Sequence, residues 1–152
     1  MEKHSRYNEN LAYKWADFSE DVGSIVLQLK DKKAEAVLAV AMGGISLGVA
    51  LSRELSLPLY TVRVKSYMGR QRGDLYIGEL PAELKGKSVF VADDIIDTKQ
   101  TITGVCERLG NYNIKVVEKM VLCKREGVQE NCVMGREIGR SVWVGFPWEY
   151  KS

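Results

Sequence analysis

The chain has 152 residues, of which 45% are hydrophobic and 28% are charged, and its formal net charge is +2. This length and composition predict one domain, residues 1–152, with a proper apolar core. The near balance of 22 basic and 20 acidic side chains argues against bulk nucleic acid or a membrane as the main partner. The apolar runs are too short to span a bilayer, and the N-terminus has no apolar signal region, so we expect a cytoplasmic protein.

The predicted elements alternate between strands and helices along the chain. Apolar side chains recur at helical spacing over residues 15–30, and further helices are predicted for 45–55 and about 101–109. Short apolar or alternating runs predict strands at 36–41, 59–65, 88–92, 114–123, 132–138 and 141–146. Residues 68–74 are rich in Gly and Arg and predict an exposed loop. The alternation is typical of an α/β fold, a mostly parallel, Rossmann-like central sheet flanked by helices.

Polar or glycine-containing segments follow four of the predicted strands. In chain order they are Met42-Gly43-Gly44, Lys65-Ser66-Tyr67, residues 93–101, and Lys124. In open parallel sheets, ligands bind beyond the carboxyl ends of the strands. These four segments are therefore expected to converge on one edge of the sheet.

The segment of residues 93–101, called here the acidic segment, carries the most specific chemistry. Asp93 and Asp94 end a buried strand, Asp97 follows, and then come two threonines and a helix. Backbone N–H groups at a helix start, with threonine hydroxyls beside them, form a good phosphate cradle. Ribose hydroxyls are donors that favour carboxylate acceptors. The pattern predicts a sugar-phosphate site; the alternative is a solvated acidic turn with an Asp or Thr helix cap.

Residues 89–101 resemble the signature of type I phosphoribosyltransferases: four apolar residues, two acidic ones, two mostly apolar ones, then Asp-Thr-Gly-x-Thr. The resemblance implies that Asp93 and Asp94 bind the ribose hydroxyls of phosphoribosyl pyrophosphate and, with Glu149, a Mg²⁺ ion. It places Asp97 near the reacting base as the catalytic residue. It assigns the 5′-phosphate to Asp97, Thr98, Lys99, Gln100 and Thr101. Lys99 stands where the family usually has glycine, which allows a tight loop or positive φ.

Two other segments are similar to the pyrophosphate-binding parts of that family. The resemblance assigns pyrophosphate to Met42, Gly43, Gly44, Lys65, Ser66 and Tyr67. The family often has Arg-Gly-Gly where this chain has Met42 before the glycines, so a charge is missing. A Ser-Tyr pair in the family opens a mobile loop that closes over the site. The alternatives are a plain strand-to-helix turn at the glycines and a solvated or RNA-contacting loop that uses Arg63, Lys65, Arg70 and Arg72.

Lys124 and residues 143–149 are similar to the 6-oxopurine branch of the family, especially its small xanthine–guanine and hypoxanthine–guanine enzymes, which carry a small C-terminal hood. The resemblance implies that Lys124 donates to the purine O6, Trp143 stacks on the base and the Val144 backbone meets the ring edge. Glu149 is expected near the metal or the purine 2-position. An ammonium is a donor only, and a planar aromatic cover suits a purine. The alternatives are a solvated lysine and a core tryptophan.

The resemblance implies a Mg²⁺-dependent transfer of phosphoribosyl from phosphoribosyl pyrophosphate to hypoxanthine, guanine or xanthine, in a homodimer or homotetramer. Besides the RNA-contacting alternative named above, two others remain open. The chain could bind phosphoribosyl ligands as a regulator without turnover, since Met42 and Lys99 depart from the family pattern. It could also be an enzyme for another nucleobase. A screen of free bases separates these classes.

Overall fold

The computed structural model describes residues 6–66 and 75–149. In these residues the helices are α1 (Trp15–Gln28), α2 (Ile45–Leu55) and α3 (Gln100–Asn111), with a short 3₁₀ turn at Ala82–Leu84. The strands are β1 (Glu9–Ala12), β2 (Ala36–Ala41), β3 (Leu59–Ser66), β4 (Leu75–Ile77), β5 (Ser88–Ile96), β6 (Lys115–Arg125), β7 (Val133–Ile138) and β8 (Val142–Gly145).

The central sheet has six strands in the order β4-β3-β2-β5-β6-β7. All neighbouring pairs are parallel except β3 and β4, which are antiparallel. The carboxyl ends of β2, β3, β5 and β6 therefore lie at one edge, as the sequence predicts. The expected α/β fold with a mostly parallel sheet is confirmed.

The central strands are buried on both faces, which explains their continuous apolar sequences. The first five residues of β2 are all buried. One apolar cluster packs α1 and α2 against the sheet through residues such as Ile25, Leu47 and Phe90. The other packs α3 through Ile102 and Val105. Among the helices described here, none combines the length and apolar character needed to cross a membrane.

Strands β5 and β6 run past their predicted ends by two residues or more. Strand β5 was predicted to end at residue 92 but runs to Ile96, and β6 was predicted to end at residue 123 but runs to Arg125. The reason is mutual: the β5–β6 ladder continues through Ile95↔Cys123 and Ile96↔Lys124, so each strand extends the other. Asp93 and Asp94 are therefore strand residues, and Lys124 lies inside a strand rather than after it.

A second, two-stranded sheet joins the two ends of the chain. Strand β1, which the sequence analysis did not predict, pairs in parallel with β8 from Glu9↔Val142 to Ala12↔Gly145. At four residues, β1 is too short to show a clear periodicity. The expected C-terminal hood is therefore built from both termini. We use the word hood below for β1, β8 and the turn at 139–141.

Candidate active site

Two adjacent carboxylates occupy the carboxyl end of β5. Asp93 is only 8% exposed, and its Oδ1 accepts a hydrogen bond of 2.9 Å from the Asp94 backbone N–H. Burial raises the pKa of Asp93 well above its ordinary value, and the Asp94 charge raises it further. Burial also raises the pKa of Asp94. Neither carboxylate has an ion-pair partner within residues 6–66 and 75–149, so the pair favours a ligand that brings hydroxyl donors or a cation.

The glycine turn lies directly against this acidic strand end. A Cβ added to Gly43 would lie 2.4 Å from Asp94 Oδ2, and one added to Gly44 would lie 2.3 Å from the Ala92 carbonyl oxygen. Two glycines are needed here because carboxylate and backbone approach too closely for any side chain. The sequence prediction that these segments meet at one edge is therefore confirmed. Met42, which precedes them, is 82% exposed and supplies no charge.

The loop that follows the carboxylates keeps the tight turn that a glycine would favour. Lys99 has φ 56°, in the left-handed region, and caps α3, which begins at Gln100. Its ammonium donates to the Gln129 carbonyl oxygen at 3.3 Å. A cavity lined by Arg6 and residues 93–102 lies at this helix start. Its lining includes Thr98 and Thr101, and the 5′-phosphate assignment to this segment stays a prediction.

Asp97 lies in a network of donors that the sequence analysis did not predict. Its Oδ1 accepts from Arg125 Nε at 2.6 Å. Its Oδ2 accepts from Arg6 Nη2 and from the Tyr7 hydroxyl, each at 3.2 Å. No local pattern points to these partners, although a basic residue directly after Lys124, at the same strand end, is a weak signal for Arg125.

An aromatic wall, formed by Trp143 of the hood and Tyr7, lies beside Asp97. The Trp143 and Tyr7 rings lie 5.3 Å apart, and Arg125 lies over the Tyr7 ring at 4.9 Å. Val144, the next residue of β8, is buried. Lys124 pairs in register with Ile96, the residue before Asp97. The structure thus groups Asp97 and Trp143 through Tyr7, and it places Lys124 on the neighbouring strand.

Glu149 and Trp148 end the described chain beyond the hood. The Glu149 backbone N–H donates to the Phe146 carbonyl at 3.2 Å. Trp148 stacks on Phe146 with ring centroids 4.9 Å apart. Its indole N–H partly offsets the effect of burial on the pKa of the Asp94 carboxyl, although the two groups do not meet the geometry of a hydrogen bond. In the described parts of the chain, no group of three acidic, His or Cys side chains is arranged to hold a metal. The predicted Mg²⁺ ligation by Asp93, Asp94 and Glu149 stays a prediction.

The predicted pyrophosphate segment after β3 is only partly described. Lys65 and Ser66 end β3 at the same edge of the sheet, and the Lys65 side chain is exposed. Tyr67 and the predicted loop 68–74, with Arg70 and Arg72, lie outside the described residues. The lid and its RNA-binding alternative both stay predictions.

An acidic strand end beside a glycine turn, followed at once by a helix start, is the arrangement that the sequence analysis predicts for the type I phosphoribosyltransferase class. The phosphoribosyl transferase domain family matches residues 13–152, and the chain belongs to that family. The chain is 27% identical over 145 residues to a xanthine-guanine phosphoribosyltransferase of Chromohalobacter salexigens, covering 95% of this chain and 86% of the relative. It is 30% identical to the protein of that name from Idiomarina loihiensis, covering 80% and 75%. A purine phosphoribosyltransferase structure from Pyrococcus horikoshii superposes with TM-score 0.80 at 25% identity, covering 94% and 96%.

Proposed function

We propose that this phosphoribosyltransferase transfers phosphoribosyl from phosphoribosyl pyrophosphate to a 6-oxopurine, giving the nucleoside monophosphate and pyrophosphate. The observation that carries the proposal is the close contact of Asp94 with Gly43 at one sheet edge, with Asp97 and the Trp143 hood beside it. The carboxylate beside the glycine turn supports binding of the ribose, and the Trp143 ring supports covering of a flat base. The names of the relatives support the choice of purine.

Asp93 and Asp94 would hold the ribose hydroxyls, and residues 97–101 the 5′-phosphate. Oxygen donors of this kind are those that Mg²⁺ prefers, so the residues present fit the ion. When bound, Mg²⁺ neutralises the pyrophosphate leaving group. Beside such a charge, the buried carboxylate pair, whose pKa values are both raised, would be favoured as a dianion. Asp93 and Asp94 are then acceptors pre-oriented by β5.

The base would lie between Asp97 and Trp143. N9 of the purine bonds to C1′ as the C1′–pyrophosphate bond breaks, through an oxocarbenium-like transition state. Asp97 accepts or positions a ring proton of the purine, a general-base role. Lys124, a donor only, bonds O6, and the Val144 backbone meets the ring edge. Most of the rate comes from this positioning.

A cytoplasmic homodimer or homotetramer completes the proposal. The three cysteines, Cys106, Cys123 and Cys132, are free thiols, which agrees with a reducing compartment. Size-exclusion chromatography with light scattering would give the number of subunits.

The test is turnover of free bases with phosphoribosyl pyrophosphate and Mg²⁺, measured as pyrophosphate release. Hypoxanthine, guanine or xanthine should be used and adenine rejected, because its N6 amine meets an ammonium that has no acceptor. Lys124→Ala should lower oxopurine turnover far more than phosphoribosyl pyrophosphate binding, and should narrow the gap to adenine. Lys115→Ala, an exposed change on the same strand, is the matched control.

Adenine used as well as hypoxanthine would overturn the 6-oxopurine assignment. Binding of phosphoribosyl pyrophosphate with no turnover of any base would favour the regulator instead. A salt-sensitive RNA shift without purine turnover would select the RNA-binding alternative.

A further inference from the structure

Arg125 is a buried cation whose donors reach two separate parts of the site. The residue is only 8% exposed. Its Nε donates to Asp97 Oδ1 at 2.6 Å, while its Nη1 donates to the carbonyl oxygens of Gly139 at 2.7 Å and Val142 at 2.8 Å. A buried charge is tolerated when it is paired and its donors are satisfied. Here that pairing joins the loop after β5 to the hood.

One carbonyl group that accepts from Arg125 lies next along the chain to the aromatic residue of the hood. Val142 directly precedes Trp143, so the guanidinium relates the Asp97 carboxylate to the strand that carries the aromatic wall. A guanidinium is planar and its donors are fixed relative to each other. One side chain therefore sets the distance and orientation of Asp97 relative to Trp143.

The two oxygens of Asp97 are engaged differently. Oδ1 is held by the buried Arg125. Oδ2 accepts from the Tyr7 hydroxyl and from Arg6, whose side chain is 61% exposed. Tyr7 also lies against Trp143, so the donor at Oδ2 is carried by a ring on the aromatic wall. A purine N–H that bonds to Oδ2 would join these donors or replace the exposed Arg6.

We propose that Arg125 is a positioning residue for the base-binding side of the reaction: it holds Asp97 Oδ1 and so presents Oδ2 to the ring N–H of the purine. The inference rests on the proposed function, because it needs a base over Trp143. Arg125 acts through Asp97, and it contributes little to the ribose and phosphate contacts made by Asp93, Asp94 and the α3 start.

The test is a double-mutant cycle of Arg125→Gln and Asp97→Asn, with kcat and KM for hypoxanthine or guanine and direct binding of phosphoribosyl pyrophosphate. Arg125→Gln should lower kcat by about a hundredfold, the cost of misplacing a catalytic group by about 1 Å. The Kd for phosphoribosyl pyrophosphate should change by less than about threefold, which is well under the 1.4 kcal/mol of a tenfold change. In the Asp97→Asn background, Arg125→Gln should have almost no further effect on kcat.

Arg125→Lys keeps the charge but loses the fork, and it should restore part of kcat. Arg53→Gln, an exposed change on α2, is the control and should match the wild type. Thermal unfolding of each variant separates a folding defect from a loss of kcat. If Arg125→Gln does not fold, Arg125→Lys takes its place in the cycle. Equal losses in both backgrounds, or a fall in phosphoribosyl pyrophosphate binding as large as the fall in kcat, would overturn the role of Arg125 alone. A folded wild type that turns over no oxopurine would overturn the proposed function and this inference together.

Discussion

Alanine at Gly43 and at Gly44 should damage the protein in different ways, although the residues are neighbours. At Gly43 the new Cβ would lie 2.4 Å from the Asp94 carboxylate, where ordinary contact begins at 3.4 Å. The carboxylate must therefore move by about 1 Å, and misplacement of this size costs up to about a hundredfold in rate. Stability should change little, because the group that moves is the end of a rotatable side chain.

Gly44→Ala should instead weaken the fold. Its Cβ would lie 2.3 Å from the Ala92 carbonyl oxygen and 2.8 Å from that of Val40, and neither backbone group can rotate away. Overpacking of this kind costs about 1–3 kcal/mol or more. The melting temperature should then fall by about 2–4 °C per kcal/mol for a chain of this size.

The assay is thermal unfolding of each variant together with phosphoribosyl pyrophosphate binding and turnover. Gly23→Ala is the control, because its Cβ would meet nothing within 4 Å on α1. It should stabilise the helix by about 0.5–1 kcal/mol and leave turnover unchanged. The reasoning is refuted if Gly43→Ala turns over like the wild type, or if it destabilises the fold as much as Gly44→Ala.

Three further changes test other parts of the site. Asp93→Asn should abolish substrate binding yet stabilise the ligand-free fold by about 0.5–2 kcal/mol at pH 7. The folded pKa of Asp93 is raised above its ordinary 3.8, so the free energy of unfolding of the wild type falls as the pH rises from that value towards the folded pKa. Below that range the wild-type carboxyl is protonated in both states. Urea unfolding near pH 3 should therefore show no stability gain of Asp93→Asn over the wild type. Tyr7→Ala should raise KM for the base about two- to tenfold, since one aromatic pair contributes about 0.5–1.5 kcal/mol; an unchanged KM would remove Tyr7 from the base site. Burial raises the pKa of Cys123 to about 12, so this thiol should resist alkylation at pH 8 until the protein unfolds, as checked by mass spectrometry.

The sequence by itself determined the features that depend on local pattern. Strand β2 and helix α2 have the predicted bounds, because a continuous apolar run, a glycine pair and a helical apolar stripe are all local signals. The alternation of strands and helices predicted the parallel sheet. The rule for its carboxyl edge places Gly43 and Asp94 at the same end of the sheet. The family resemblance places Lys99 where glycine is usual, and Lys99 has the positive φ that glycine allows.

Only the tertiary structure decided which side chains surround Asp97. Its partners Arg125, Tyr7 and Arg6 are 28, 90 and 91 residues away along the chain. The pairing of β1 with β8, which joins the two strands of the hood, is equally remote in sequence. Contacts of this kind have no periodicity, because they depend on where the folded chain returns and not on neighbouring residues. The ends of β5 and β6 were missed for the same reason: a polar strand end is held in place by the hydrogen bonds of the strand beside it.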